Sequence, residues 1–396
     1  MAGEAFSERK VKAGRLSIRD ADGSVRVMQG AAEGPHSAIR IHDDTFLRKL
    51  MVKPDLFMGE GYMDGTLEIE EGTLYDFLEF CGINMAPQHV DPKLSNLFRK
   101  VEQRNIVGKA KENAAHHYDL DARLYEQFLD EDKQYSCAYF ATDNDSLEVA
   151  QANKKRHIAG KLLLEPGMKV LEIGSGWGGL ALYLAQIADV EVVSVTLSEE
   201  QFKVAQARAR AVGLDDRVTF KLIDYREEDG TYDRIVSIAM FEAVGAGNFE
   251  EFFNKVAELL DDNGVCLLHS IGRKEPPGLT HAWITKYIFP GGYSPSLSET
   301  LAAVEKSGMW TTDVEILRLH YAKTLHEWNR RFQENRDKVK AIYDERFCRM
   351  WEFYLQSCEV GFRRMGWMVF QLQLAKSIDA VPLTRDYIAG FEAENR

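Results

Sequence analysis

Apolar positions switch period several times along this chain. Ala38-Ile39-Arg40-Ile41 alternates as a strand, and Thr45-Phe46-Leu47-Arg48-Lys49-Leu50 starts a helix. Gly65-Thr66-Leu67-Glu68-Ile69 alternates again, and Thr73-Leu74-Tyr75-Asp76-Phe77-Leu78 returns to helical spacing. A polar connector from Gln88 to Lys111, with Pro92 and much charge, predicts a boundary between a small α+β domain with its linker, 1–105, and a larger domain, 106–396. In the larger part, apolar runs at Val170-Leu171, Val190–Val195, Val218–Ile223, Tyr232–Ile238 and Gly264–His269 alternate with helical stretches, one from Phe249 to Leu260. Such alternation predicts an α/β, Rossmann-like fold with a mostly parallel sheet covered on both faces. From Thr324 to Asn335, and from Asp337 to about Lys376, the spacing predicts helices. Phe347, Met350, Trp351, Tyr354, Leu355 and Cys358 keep i, i+3, i+4 positions there.

Composition narrows the function classes. The chain has 396 residues, 45% hydrophobic and 28% charged, enough for two domains and a large core. No apolar run approaches the roughly 20 residues of a membrane span, and Met1 to Arg15 lacks the apolar core of a secretory signal. The five cysteines show no CxxC spacing, which suits a reducing cytoplasm better than a disulfide framework. A net charge of −13 argues against broad nucleic-acid binding and against global attraction to anionic lipid, so any membrane contact must use a local patch.

Candidate chemistry starts at Glu172-Ile173-Gly174-Ser175-Gly176-Trp177-Gly178-Gly179, a strand end, a glycine turn and a helix start. Missing Cβ atoms let a ligand lie on the backbone, and the helix end offers free N–H groups. Gly174, Gly176 and Gly179 also satisfy the dinucleotide pattern, so the glycines leave two cofactors open. A nicotinamide site expects an acid about 20 residues on. The second strand runs instead into Thr196, with Gln201 one helical turn later. Glu172 suits a positively charged amino acid moiety, and Asp224-Tyr225 suits an adenine. Together these favour S-adenosylmethionine. Glu172, Thr196, Asp224, Glu242 and His269 all fall at or just beyond strand ends, where such sheets bind ligands.

With these segments in hand, the chain resembles the cyclopropane fatty acid synthases and the related mycolic acid cyclopropane synthases. The matching stretches are His117–Leu120, Tyr135-Ser136-Cys137, the glycine turn, Val195–Gln201, Asp224-Tyr225-Arg226, Met240–Gly245, Leu268–Gly272, Lys286–Gly292 and Arg346–Leu355. The resemblance runs in order from about His116 to Leu374, and residues 37–83 resemble the family's N-terminal lipid-binding domain. It implies a class I methyltransferase fold with a seven-stranded sheet and helical C-terminal additions. It also implies methylene transfer from S-adenosylmethionine to a cis double bond in a phospholipid acyl chain, at the cytoplasmic face of a membrane, by a peripheral homodimer. A bound bicarbonate is implied as the base, on Cys137, Glu242, His269, Tyr321 and the backbone of Ile271. Tyr118, Tyr135 and Ser136 are implied to touch the cofactor beside Glu172, Gly174, Gly176, Gly178, Thr196, Gln201, Asp224 and Tyr225.

Each of these residues also has a plainer reading. Cys137 alone reads as a small buried hydrophobe, His269 as a satisfied core histidine and Tyr321 as packing. Glu242 is the sharpest, because an acid after Ile238-Ala239-Met240-Phe241 is hard to bury without a task. His116-His117 lacks the matched spacing of a metal site. Arg330-Arg331 and Arg363-Arg364 are solvated faces or phosphate contacts, and the Phe347–Cys358 face packs on the core or lines an acyl channel. The family often has His where Ala243 stands, which keeps a methyl- or methylene-branched product open, and Ser175 replaces a common Cys. A non-catalytic lipid-binding protein is disfavoured by the joint presence of Cys137, Glu242, His269 and Tyr321.

Overall fold

The computed structural model describes residues 11–84 and 122–396. His116, His117, Tyr118 and the whole connector from Gln88 to Lys111 lie outside them. Two compact units emerge: 1–90 with 280–290 and 325–367, and 91–279 with 291–324 and 368–396. Two later segments of the chain, 280–290 and 325–367, thus belong to the same unit as the N-terminal strands.

That first unit holds β1 (Ala13–Arg19), β2 (Val25–Gln29), β3 (Ala32–Ile41) and β4 (Leu67–Glu71) in the order β2-β1-β3-β4. β3, β4 and the helices Asp44–Val52 and Leu74–Asn84 match the pattern in the sequence. The hairpin β1–β2 carries mostly exposed residues on β2, which left little periodic signal there. The helix Pro54–Asp64 begins on a proline and stops at Gly65, whose φ of 75° ends a helix at no steric cost. Gly59 lies so close to Trp283 that a Cβ would stand 2.4 Å from its indole nitrogen. Trp283 in turn donates to Met63 Sδ at 3.2 Å. The helix Glu345–Arg364 buries Trp351, Phe353, Tyr354 and Leu355, and Glu352 accepts from the Tyr62 hydroxyl at 2.9 Å.

The second unit contains β5 (Lys169–Ile173), β6 (Glu191–Val195), β7 (Val218–Lys221), β8 (Tyr232–Ile238), β9 (Leu260–Arg273), β10 (Trp310–Ile316) and β11 (Trp367–Ala375). They form one seven-stranded sheet, β10-β11-β9-β8-β5-β6-β7. The pairs β5–β6, β6–β7, β5–β8 and β8–β9 are parallel, and β10–β11 is antiparallel. Phe241, Phe252, Phe253, Phe370 and Leu372 fill one face; Ile158, Leu180, Leu184, Val192 and Val236 fill the other. The order reverses at β5/β8, the switch point where such sheets open a ligand crevice.

One expectation fails here. The sequence pattern runs helical to about Lys376, but the helix stops at Arg364 and 367–375 is a central strand. Gly366, at φ 78°, turns the chain out of the helix. Beyond it Phe370, Gln371, Leu372, Gln373 and Leu374 alternate, which is a strand period. Both faces are buried, so the aromatic and aliphatic content resembles that of the preceding helix.

Candidate active site

β5 delivers the glycine turn. Gly174, Gly176 and Gly178 take φ values of 98°, 48° and 86°, the left-handed region that disfavours other residues. The N–H groups of Gly174 and Ser175 both donate to Val195 O, at 3.0 and 3.1 Å, which locks the turn to the end of β6. A Cβ on Gly178 would stand 2.9 Å from Ala205 Cβ, whereas one on Gly176 would meet only open space. The turn is thus packed from below at Gly178 and open at Gly176, the form of a ligand cradle.

Around it stand polar groups suited to a cationic nucleoside. Glu172 is buried, accepts from Ser194 Oγ at 2.5 Å, and burial pushes its pKa up to about 8. A buried acid of this kind gains by meeting a positive charge. Thr196 and Gln201 are buried at the end of β6, linked side chain to side chain at 3.4 Å, with Ser198 capping the helix Glu199–Ala211. Asp224 serves its own turn: its carboxylate accepts from Arg226 N, Nε and Nη2 at 3.0, 2.8 and 2.7 Å. Tyr225 packs edge-on to Phe252 with centroids 5.4 Å apart.

The segment 130–137 closes against this turn. Gly179, the first residue of its helix, has no room for a Cβ because Asp132 Oδ2 and Gln134 Nε2 lie 2.4 and 2.5 Å from that position. Asp132 pairs with Lys155 and Arg208, and Arg208 Nη1 also donates to Trp177 O at 2.8 Å. The helix Leu147–Leu162 grips the same segment. Gln151 Nε2 donates to the carbonyls of Gln134 and Ser136 at 3.2 and 3.1 Å. Lys154 Nζ donates to Gln134 Oε1 at 2.6 Å and to Ser136 Oγ at 2.8 Å. Tyr135 stacks edge-on against Tyr125 at 5.3 Å. Burial lowers the Lys154 pKa to about 8, and its charge is felt at Glu172 and at His269. The sequence reading missed Gln151 and Lys154. With His157 and Lys161 they form a polar stripe at helical spacing that resembles a solvated face, yet all four are buried.

Beyond β8 the chain turns sharply at Ala239, a non-glycine residue at φ 53° whose N–H donates to His269 O at 2.8 Å. This strained turn leads into the short 3-10 turn Phe241–Ala243, which carries Glu242. Glu242 Oε1 accepts from the Ile271 N–H at 2.5 Å, while Oε2 is buried without a partner among the described residues. Burial pushes this carboxyl up to about 7. His269, at 1% exposure on β9, is held neutral: burial, then the nearby Lys154, Lys161 and His157, lower its pKa to about 3. Its Nδ1 meets Gln371 Nε2 at 3.1 Å. Cys137 is buried, its thiol points at Ala138 O at 3.4 Å, and burial raises its pKa, so it is no thiolate nucleophile. Two backbone links tie its segment to the helix that starts at His320 and carries the buried Tyr321: Ala138 N to Thr324 Oγ1 and Phe140 N to His320 Nδ1, each 3.0 Å.

A family model described as mycolic acid cyclopropane synthetase matches residues 107–372. The chain belongs to that family. Within it, the chain is 38% identical to the cyclopropane-fatty-acyl-phospholipid synthase of Escherichia coli (strain K12), over 86% of its own length and 88% of that protein's. It is 35% identical to the tuberculostearic acid methyltransferase UfaA1 of Mycobacterium tuberculosis (strain ATCC 25618 / H37Rv), over 88% and 85% of the two chains. Among solved structures, the mycolic acid cyclopropane synthase CmaA1 complexed with SAH and CTAB superposes with a TM-score of 0.62 at 34% identity, covering 67% of this chain and 97% of that one. The fold of this cyclopropane synthase family member is therefore that of the class I methyltransferases.

Proposed function

We propose that this protein transfers a methylene group from S-adenosylmethionine to the cis double bond of an unsaturated phospholipid acyl chain, giving a cyclopropane. The observation that carries the reading is Glu242, just past β8, with Oε1 on the Ile271 N–H and Oε2 without a partner among the described residues, and the buried, neutral His269 two residues before Ile271 on β9. An unsatisfied buried oxygen costs stability unless a ligand meets it. When bound, S-adenosylmethionine supplies an electrophilic methyl group. Glu172, Thr196, Gln201 and the open edge at Gly176 would hold it, with Tyr135 and Ser136 closing from the opposite side. Alkene attack leaves a carbocation on the acyl chain, and closing the ring requires loss of a proton. A bicarbonate bound there would supply a small base for that proton; Glu242 would accept from its O–H, and His269 and Tyr321 would donate to it. The Ile271 N–H, which donates here to Glu242 Oε1, would be the backbone donor at that site.

A branched product from the same cation is the second reading. UfaA1, a methyltransferase by name, matches most of the chain, and the exposed Ala243 cannot hydrogen-bond beside Glu242. Membrane contact at the cytoplasmic face and a homodimer complete the proposal. Among the described residues no helix is long and apolar enough to cross a membrane. The test incubates purified protein with S-adenosylmethionine and dioleoyl phospholipid vesicles and weighs the extracted lipid. A gain of one CH2 per modified chain supports either product; no gain refutes both.

A further inference from the structure

We infer that Gln371 is the positioning residue that selects the tautomer of His269, holding its proton on Nε2 so that the ring presents a donor to the reacting site. The inference rests on the proposed role of His269, but the geometry behind it is independent of any substrate. β11 is the strand inserted beside β9, and it places Gln371 against His269 from the neighbouring sheet position. Gln371 Nε2 donates to Nδ1 at 3.1 Å, and both residues are 1% exposed. A neutral imidazole that accepts at one nitrogen must carry its proton on the other. Nε2 is thereby left as the donor.

The cost of this arrangement points to function. Gln371 Oε1 is buried without a partner among the described residues. An unpaired buried oxygen costs stability, and here the other end of the same amide meets His269. Its strand companion Gln373 shows the contrast: Nε2 donates to Lys161 O and Tyr387 Oη at 2.6 and 2.8 Å, and Oε1 accepts from Thr312 at 2.9 Å. A carboxylate at position 371 would be the wrong partner. It can only accept, so it would draw the proton to Nδ1 and turn Nε2 into an acceptor. The charged and titratable groups whose fields reach His269 are Lys154, His157 and Lys161 on the helix Leu147–Leu162 and Glu315 on β10. A new anion there would also stabilise an imidazolium.

Two variants separate tautomer selection from packing: Gln371→Leu removes the donor, and Gln371→Glu preserves size and hydrogen bonding while reversing the polarity. Nitrogen NMR of 15N-histidine protein, with His269 assigned by its loss in His269→Asn, reads the tautomer directly without substrate. Expected in the wild type is a protonated Nε2 and a bare Nδ1, and in Gln371→Glu a protonated Nδ1. On vesicles both variants should lose at least about tenfold in kcat, with S-adenosylmethionine binding changed less than twofold. A wild-type His269 protonated on Nδ1 overturns the inference, and so does Gln371→Glu with unaltered tautomer or near-native kcat. If the wild type shows the expected tautomer but modifies no lipid, the proposed function fails and the role of Gln371 in setting the ring stands.

Discussion

At the scale of single residues, the site is built from acids and bases that burial keeps uncharged until a ligand arrives. Glu172 and Glu242 sit near 8 and 7, well above ordinary carboxylates, and His269 near 3. Turnover needs Glu242 as an acceptor, so kcat/KM should rise with pH through about 7. Glu242→Gln should lose that limb and at least about 100-fold in kcat, with cofactor affinity nearly unchanged. Stability runs the opposite way. A carboxyl whose folded pKa is raised favours folding below its unfolded value, and this advantage disappears as pH rises through the folded one. Thermal unfolding of ligand-free Glu242→Gln should therefore show it more stable than wild type at pH 9, by ~1–3 kcal/mol, and no more stable at pH 4. For Glu172 the readout is binding. S-adenosylmethionine should bind more tightly as pH rises toward 8, with proton release that calorimetry in buffers of different ionisation enthalpy detects. Glu172→Gln should abolish that release.

At the scale of elements, strands with clear apolar runs were legible in the sequence, and so was the glycine turn they deliver. β5, β6 and β8 need no tertiary information because they stand out as short apolar runs, and the helix Phe249–Leu259 because its apolar positions keep a helical period. β10 was not legible: Trp310, Thr311 and Thr312 are exposed and carry no alternation of hydrophobicity. β11 was misread because both its faces are buried, and Gln371 and Gln373 look like interruptions until their partners are in place. Glu242 could be picked out by its type and its place just past β8, whereas His269, expected at a strand end, lies within β9, level with the end of β8. The clamp of Gln151, Lys154, Asp132 and Arg208 could not be picked out, since buried polar groups far apart in sequence declare themselves only through their bonds. That clamp makes its own prediction. Asp132→Ala removes partners from Lys155, Gln134 and Arg208 together. It should weaken S-adenosylmethionine binding by about tenfold, roughly 1.4 kcal/mol, by titration, while secondary structure by circular dichroism stays unchanged.

At the scale of the whole molecule, the net charge of −13 makes attraction to anionic lipid a poor means of docking. Three of the arginines that could greet phosphates are already paired: Arg330 with Glu327 and Glu334, Arg363 with Glu359, and Arg364 with Glu79. Vesicle co-sedimentation should then not strengthen as anionic lipid is added; a tenfold gain on the order of 1.4 kcal/mol would contradict this. The central claim concerns the fate of one proton, and isotope retention tests it most directly. Protein is given S-adenosylmethionine with a fully deuterated methyl group and dioleoyl phospholipid vesicles, and the extracted chains are examined by mass spectrometry and NMR. Ring closure through the Glu242–His269 site predicts cyclopropane chains that keep two of the three deuterons, the third released to solvent. Chains that keep all three as a methyl branch, or that show vinylic rather than upfield ring signals, would contradict it.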